Sequence, residues 1–278
     1  MTVIPGPGVY DGMPEHEYHA DPVPGGSLSS SGARKLLPPS CPALFRHELD
    51  NPATPTRALD LGTAAHRMVL GLGGSFVVVD ADSYRTKAAQ QARDEARAAG
   101  AAPLLNHEYE QVMAMADAIR AHPVAGALLC RGDVAPEQSL FWRDEEFGIW
   151  RRARLDAIRW PRSPGGRILI TDYKTTTCAD PRQFARSAAS YGYHQQDDWY
   201  RDGVTALLDA DPAFLFVAQE KTPPYLVTVC ELDDDAIKAG RERNRRAMEV
   251  YAECKATGDW PPYSNDIEVI SLPAWSTP

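Results

Sequence analysis

The chain has 278 residues, 44% of them hydrophobic and 24% charged, a composition that excludes wholesale disorder and suffices for one elaborated domain or two small ones. With 29 Lys and Arg against 38 Asp and Glu the net charge is −9, so a polyanionic partner has to be met by a local cationic groove rather than by the molecule as a whole. No run approaches the ~18 apolar residues of a membrane span, and the opening MTVIPGPGVYDG lacks the basic-then-apolar order of a secretory leader; the expectation is a cytoplasmic protein with no membrane partner.

In chain order, residues 1–27, with GPG and DPVPGG, predict an extended N-terminal arm, leaving 28–278 as a single domain. Ser29, Ser30 or Ser31 caps a helix through GARKLL, because a hydroxyl there satisfies an orphan backbone N–H. A short helix, PALFRHEL, follows. Residues 56–71 carry helical periodicity, with Leu59, Ala65 or His66, and Leu70 on neighbouring faces. SFVVVD at 75–80 is a short strand, and 84–99 and 107–121 are helical by propensity.

From 135 the period changes to two. QSLFWRD, IWRRARLDAIRW and RILITDYK read as an antiparallel meander, turned at DEEFG and PRSPGG. PRQFARSAAS and HQQDDWYRDGVTALL return to helix, AFLFVAQEK and YLVTVCEL pair as strands, 233–256 is a long charged helix, and the tail is irregular. This order predicts an α/β (α+β) fold with a central mixed β-sheet flanked by helices. Five scattered cysteines without a C-x-x-C (Cys41, Cys130, Cys178, Cys230, Cys254) read as reduced, mostly buried thiols rather than a disulfide framework or a metal–sulfur site.

The sharpest chemical feature is Thr171–Asp172–Tyr173–Lys174. Residues two apart on a strand share a face, so the Asp172 carboxylate and the Lys174 ammonium emerge together. Asp156 lies across the PRSPGG hairpin, where a plausible pairing brings it to Asp172. Two carboxylates suit Mg²⁺, which keeps several waters and takes phosphate oxygens, and a lysine beside them orients or deprotonates a water or neutralises charge on phosphorus. D-x-K alone is more often a strand-end ion pair.

Asp156 and, sixteen positions further on, Asp172-Tyr173-Lys174 resemble the PD-(D/E)XK nuclease signature. SLSSSGARKLL, CPALFRHEL, LDLGTAAHRMVLG, RARLDAIRW, TDYKTT, YGYHQQDDWYRDG and the closing PPYSNDIEVISLPAW are similar to the exonuclease VIII-type (RecE-like) phage and prophage exodeoxyribonucleases, and more distantly to lambda exonuclease and the RecB nuclease domain. The likeness covers most of 9–275.

The resemblance implies a restriction-endonuclease-like core. Metal ligation falls to His66, Asp156, Asp172 and the Tyr173 backbone carbonyl, with Mg²⁺ as cofactor and Mn²⁺ as a substitute. Lys174 becomes the catalytic lysine, and Asp172 stands where many relatives have Glu. Gln196 and Tyr200 fit the Q-x-x-x-Y element on one helix face, with Gln195 as a competitor. Ser31 or a neighbouring serine, Arg34 and Lys35 match a phosphate contact, although plain capping explains the serines equally well. Glu137 resembles an acidic residue at the rim. Arg152 and Arg154, with Arg151 beside them, either line a DNA channel or solvate an outer strand face.

The activity implied is Mg²⁺-dependent exodeoxyribonuclease action on double-stranded DNA ends, 5′ to 3′, leaving 3′ overhangs. It is implied in a homo-oligomeric ring beside a single-strand annealing protein, in the cytoplasm of a bacterial host. The alternatives are a structure-specific endonuclease or repair nuclease of the same superfamily, and a non-catalytic DNA-binding subunit.

Overall fold

In the computed structural model, which describes residues 3–52, 56–161, 163 and 166–272, the N-terminal segment is folded, not an extended arm. β1 (Gly8–Tyr10) joins the main sheet, α1 (Glu15–His19) follows, and Ile4, Met13, Tyr18 and Val23 bury against Phe141. Their spacing has no regular period, so nothing local announces that they share a wall.

β2 (Ser27–Ser29) runs into α2 (Ser30–Lys35), and of the three candidate serines it is Ser29 that caps, its Oγ accepting the Gly32 N–H at 3.1 Å. α3 (Pro42–Asp50) starts on a proline, where a missing N–H costs nothing. α4 (Arg57–Leu70) is capped by Thr56 and stopped by Gly71 at φ 77°. Ala64, Ala65, Val69 and Leu70 form its inner face, whereas Leu59, expected among the patterned positions, is 57% exposed at the mouth of a cleft.

β3 (Phe76–Val79), α5 (Lys87–Ala98) and β4 (Ala102–Leu105) make a small parallel two-stranded sheet. β4 escapes a sequence reading because APLL is too short to show a period between two helices. α6 (Asn106–Ala121) and α7 (Ala125–Leu129) follow.

β5 (Val134–Asp144), β6 (Ile149–Arg159) and β7 (Leu169–Thr176) form the antiparallel meander. Arg162, Pro164 and Gly165 of its second turn lie outside the described residues. α8 (Pro181–Tyr191) and α9 (Tyr193–Leu208) meet at Gly192, at φ 67°, where a Cβ would strike the Arg34 side chain. β8 (Ala213–Glu220) runs parallel to β7, β9 (Val227–Cys230) turns back antiparallel, and α10 (Asp234–Thr257) closes the domain.

The result is a seven-stranded mixed sheet in the order β1-β5-β6-β7-β8-β9, with β2 parallel to β6. Leu140, Leu155, Ile170 and Phe216 pack one face against Trp199 of α9 and Ala247 of α10. Ala157, Tyr173 and Val217 pack the other against Ala65, Val112 and Leu128 of α4, α6 and α7. The five cysteines are free, but only Cys41 and Cys254 are buried. Among the described residues no helix is long and apolar enough to cross a membrane.

The sheet divides at β6. On one edge its Trp150–Arg152 stretch pairs with β2 and its Ala157–Arg159 stretch with β7, so residues 153–156 have no ladder partner there. Leu155 packs on the α9 side and Ala157 on the α4 side, although residues two apart on a regular strand share a face. The strand therefore turns over at Asp156. Opposite it in β5, between the Pro136↔Ala157 and Gln138↔Leu155 pairs, Glu137 adopts φ 54°, a left-handed conformation that a non-glycine residue holds only at a cost.

Candidate active site

The break in the sheet opens into a cleft of about 530 Å³, lined from α1, α2, α4 and α9 as well as from β5, β6 and β7. Asp172 and Ile170 share a face by strand alternation, which places Asp172 under α9. Its carboxylate is 2% exposed. Gln196 Nε2 donates to Asp172 Oδ1 at 2.5 Å, and Lys174 Nζ stands 2.5 Å from Oδ2. The same Nζ lies 5.1 Å from the centre of the Tyr193 ring, a cation–π contact.

One step beyond the Ala157↔Thr171 pair, Asp156 comes opposite Asp172. Its Oδ2 accepts the Tyr173 backbone N–H at 2.8 Å, replacing a ladder bond that the divided sheet lacks. His66 Nδ1 lies 3.6 Å from the same oxygen, and its ring tilts over that of Tyr173 at 5.0 Å. Glu137, Asp156 and Asp172 thus stand in a row across three adjacent strands.

Burial first, then the Asp172 charge, pushes the Asp156 carboxyl well above the usual range, with Glu137 adding to it; Lys174 and the Tyr173 N–H pull the other way. For Lys174 burial favours the neutral amine, but Asp172 and Asp156 outweigh it and the net shift is upward, so it stands as an ammonium. Burial and the Lys174 charge push His66 down, leaving a neutral imidazole, with the Asp172 and Glu137 charges and the Tyr173 backbone in partial opposition. Burial drives the Tyr200 hydroxyl far up, so it remains a phenol.

The donor chemistry suits a hard divalent cation. A buried and a half-buried carboxylate repel each other, Asp172 Oδ2 has no directed hydrogen bond despite its ammonium neighbour, and a neutral imidazole stands beside them. As the side chains stand, no three His, Cys, Asp or Glu groups converge at ligating distance among the described residues. Asp172 is turned to Lys174 and Gln196, and His66 to Asp156.

Gln196 and Tyr200 line the cleft together. Gln195 does not compete: it is buried, its amide donating to Asn244 Oδ1 at 3.2 Å and its carbonyl accepting Arg243 Nε at 3.1 Å. Ser31 and Arg34 are in the cleft. The Arg34 guanidinium donates to the Tyr191 carbonyl, and its Nε is buried without a partner. Lys35, expected with them, is outside the cleft and paired with Glu48.

The strand arginines also depart from expectation. Arg151 is neither solvated nor in a channel; it is buried over Trp142 and Trp199, at 4.7 and 4.0 Å, and paired with Asp202. Arg152 reaches Ser27 and Asp21, and Arg154 reaches Glu137, Ser139 and the Met13 carbonyl. Both border the cleft, yet their guanidinium groups anchor the N-terminal segment. Two further residues near the site carry no sequence signal. Glu15 lines the cleft from a segment with no periodic signal, and Tyr193, near the QQ pair, approaches Lys174 only through the docking of α9.

Residues 29–273 match the family described as PDDEXK-like domain of unknown function (DUF3799). No curated protein matches the chain in sequence. Among solved structures, a candidate exonuclease from Eubacterium rectale superposes with a TM-score of 0.59 at 13% identity, over 89% of this chain and 90% of that one. At that identity the likeness speaks for the fold alone. SSO0001 aligns over 84% of this chain and 86% of its own at 13% identity, but with a TM-score of 0.31 it carries no argument.

Proposed function

The chain belongs to the PDDEXK-like family, and from that premise we propose that it is a metal-dependent nuclease, an exodeoxyribonuclease that degrades one strand of linear duplex DNA. The observation that carries the reading is the Asp172 carboxylate, held between Lys174 and Gln196 and facing Asp156 in a gap of the sheet. A purely structural ion pair does not require a second, repelled carboxylate beside it. The exonucleolytic mode rests on the sequence resemblance.

Asp156, Asp172 and His66 would hold Mg²⁺, with the Tyr173 carbonyl as a further oxygen and Mn²⁺ as a substitute. When bound, such an ion polarises a phosphate and lowers the pKa of a water. Gln196 keeps Asp172 from rotating. The Lys174 ammonium neutralises charge that builds on the non-bridging phosphate oxygens, and the Tyr200 phenol is a neutral donor to them. The cleft walls of α4 and α9 restrict water around that charge.

The 5′-to-3′ direction, 3′ overhangs for annealing, a ring of subunits and an annealing-protein partner rest on the sequence resemblance. The test is release of acid-soluble nucleotide from linear duplex labelled at either end, with Mg²⁺ or EDTA. Loss from the 5′ label with Mg²⁺, reduced at least 10²-fold by Lys174→Ala, with circular plasmid left intact, is the expected result. A wild type that shifts DNA in a gel but releases nothing with Mg²⁺, or with Mn²⁺ in its place, overturns it.

A further inference from the structure

Behind the wall formed by Ser29 and Ser31, both of which also line the cleft, lies a second cavity of about 290 Å³. One side of it is aromatic. Trp260 stacks on Phe45 at 5.5 Å and 28°, and Tyr251 meets it edge-on at 6.1 Å. The Pro261 carbonyl accepts the Ala43 N–H at 3.1 Å, which pins Trp260 to α3. The other side is cationic. Lys255 Nζ donates to the Gly25 carbonyl at 2.6 Å and lies 5.5 Å over Tyr251, with no carboxylate recorded against it. Arg46 lies over Trp260 at 5.9 Å.

Of the lining cations, Lys35 pairs with Glu48, Arg152 with Asp21 and Arg46 with Asp50 just outside the cavity, which leaves the Lys255 ammonium as a local positive excess on a chain of net charge −9. Aromatic faces beside an unneutralised ammonium are what a base and its phosphate together require. The volume is at the lower end for small-ligand sites, enough for a single unit rather than a duplex.

We propose that this cavity is a nucleotide-binding subsite, which takes one unpaired nucleotide of the strand entering or leaving the cleft, its base against Trp260 and its phosphate towards Lys255. The identity of the ligand rests on the nuclease reading above, whereas the pocket is separate from the residues that carry it.

The test is fluorescence anisotropy of a labelled short oligothymidylate in EDTA, for wild type, Trp260→Leu and Lys255→Glu. Alongside these, Asp172→Asn is assayed for hydrolysis. The expected result is about tenfold weaker binding in each pocket variant, with the Lys255→Glu loss fading as salt is raised. Lys255 is exposed, so that variant retains its fold even if Trp260→Leu loosens α3. Competition by free thymidine monophosphate as strong as by the oligomer assigns the pocket to the released product. Competition by the oligomer alone assigns it to the strand. Wild-type affinity in both pocket variants, with hydrolysis still abolished by Asp172→Asn, overturns the subsite and leaves the nuclease reading standing. A wild type that neither binds the oligomer nor cleaves DNA overturns both.

Discussion

Gln196 on α9 donates its amide to Asp172 on β7 at 2.5 Å, a contact across 24 residues of sequence that ties a helix to the buried carboxylate beside Lys174. Gln195, one residue earlier, points into the α9–α10 interface and bonds Asn244.

The two glutamines are therefore separable. Gln196→Ala is expected to lower kcat by about 10- to 100-fold, the usual cost of losing a group that orients a ligating carboxylate, with little change in melting temperature. Gln195→Ala is expected to do the reverse, lowering the melting temperature because Asn244 and Arg243 lose a buried partner. Steady-state kinetics and calorimetry on both variants check the split.

Asp156 costs stability in the absence of a cation, since it is half-buried, poorly solvated and repelled by Asp172. Asp156→Asn is expected to raise the melting temperature of the metal-free protein and to abolish the further rise that Mg²⁺ gives the wild type, a rise that follows ligand concentration by mass action. A thermal-shift titration with Mg²⁺ on both proteins reads the two effects.

Arg152 holds the N-terminal segment through Ser27 and Asp21. Arg152→Ala leaves Asp21 without its cation in a half-buried site, and removing one partner of such a pair costs about 3 kcal/mol. Accelerated proteolytic cleavage within residues 3–27 is the expected outcome, along with a lowered melting temperature. Cleavage elsewhere first would count against the anchoring role.

Asp197 is fully buried, with Oδ2 unpartnered, and burial raises its pKa to about 6 from 3.8, against the pull of Arg201. The folded state then holds a proton between pH 4 and 6 that the unfolded chain has released. This contribution is fully present below pH 4 and is lost as pH rises through 6, by about 3 kcal/mol at 1.36 kcal/mol per unit. Asp197→Asn should flatten that part of the stability profile, which urea melts at several pH values will show.

The juxtaposition of the two aspartates and the lysine is legible in the sequence. Strand alternation puts Asp172 beside Lys174, and a hairpin of the right length brings Asp156 opposite them, because both are local properties of a period-two chain. His66 entered through resemblance, since a helical histidine carries no periodic mark of what it faces. The meander, the long last helix and the mixed sheet follow from the order of periods along the chain.

Only the tertiary structure decided which arginines are free to meet a phosphate, which glutamine reaches Asp172, and that the N-terminal segment is a wall of the cleft. Local sequence determines the face on which a side chain emerges, but not what covers that face. Arg151 and Arg152 are adjacent in an RRAR run, yet one is buried over tryptophans and the other bound to Asp21, because different segments pack on the two sides of β6. The cleft exists because β2 and β7 share one edge of β6 without meeting, a long-range pairing that no residue-by-residue pattern contains.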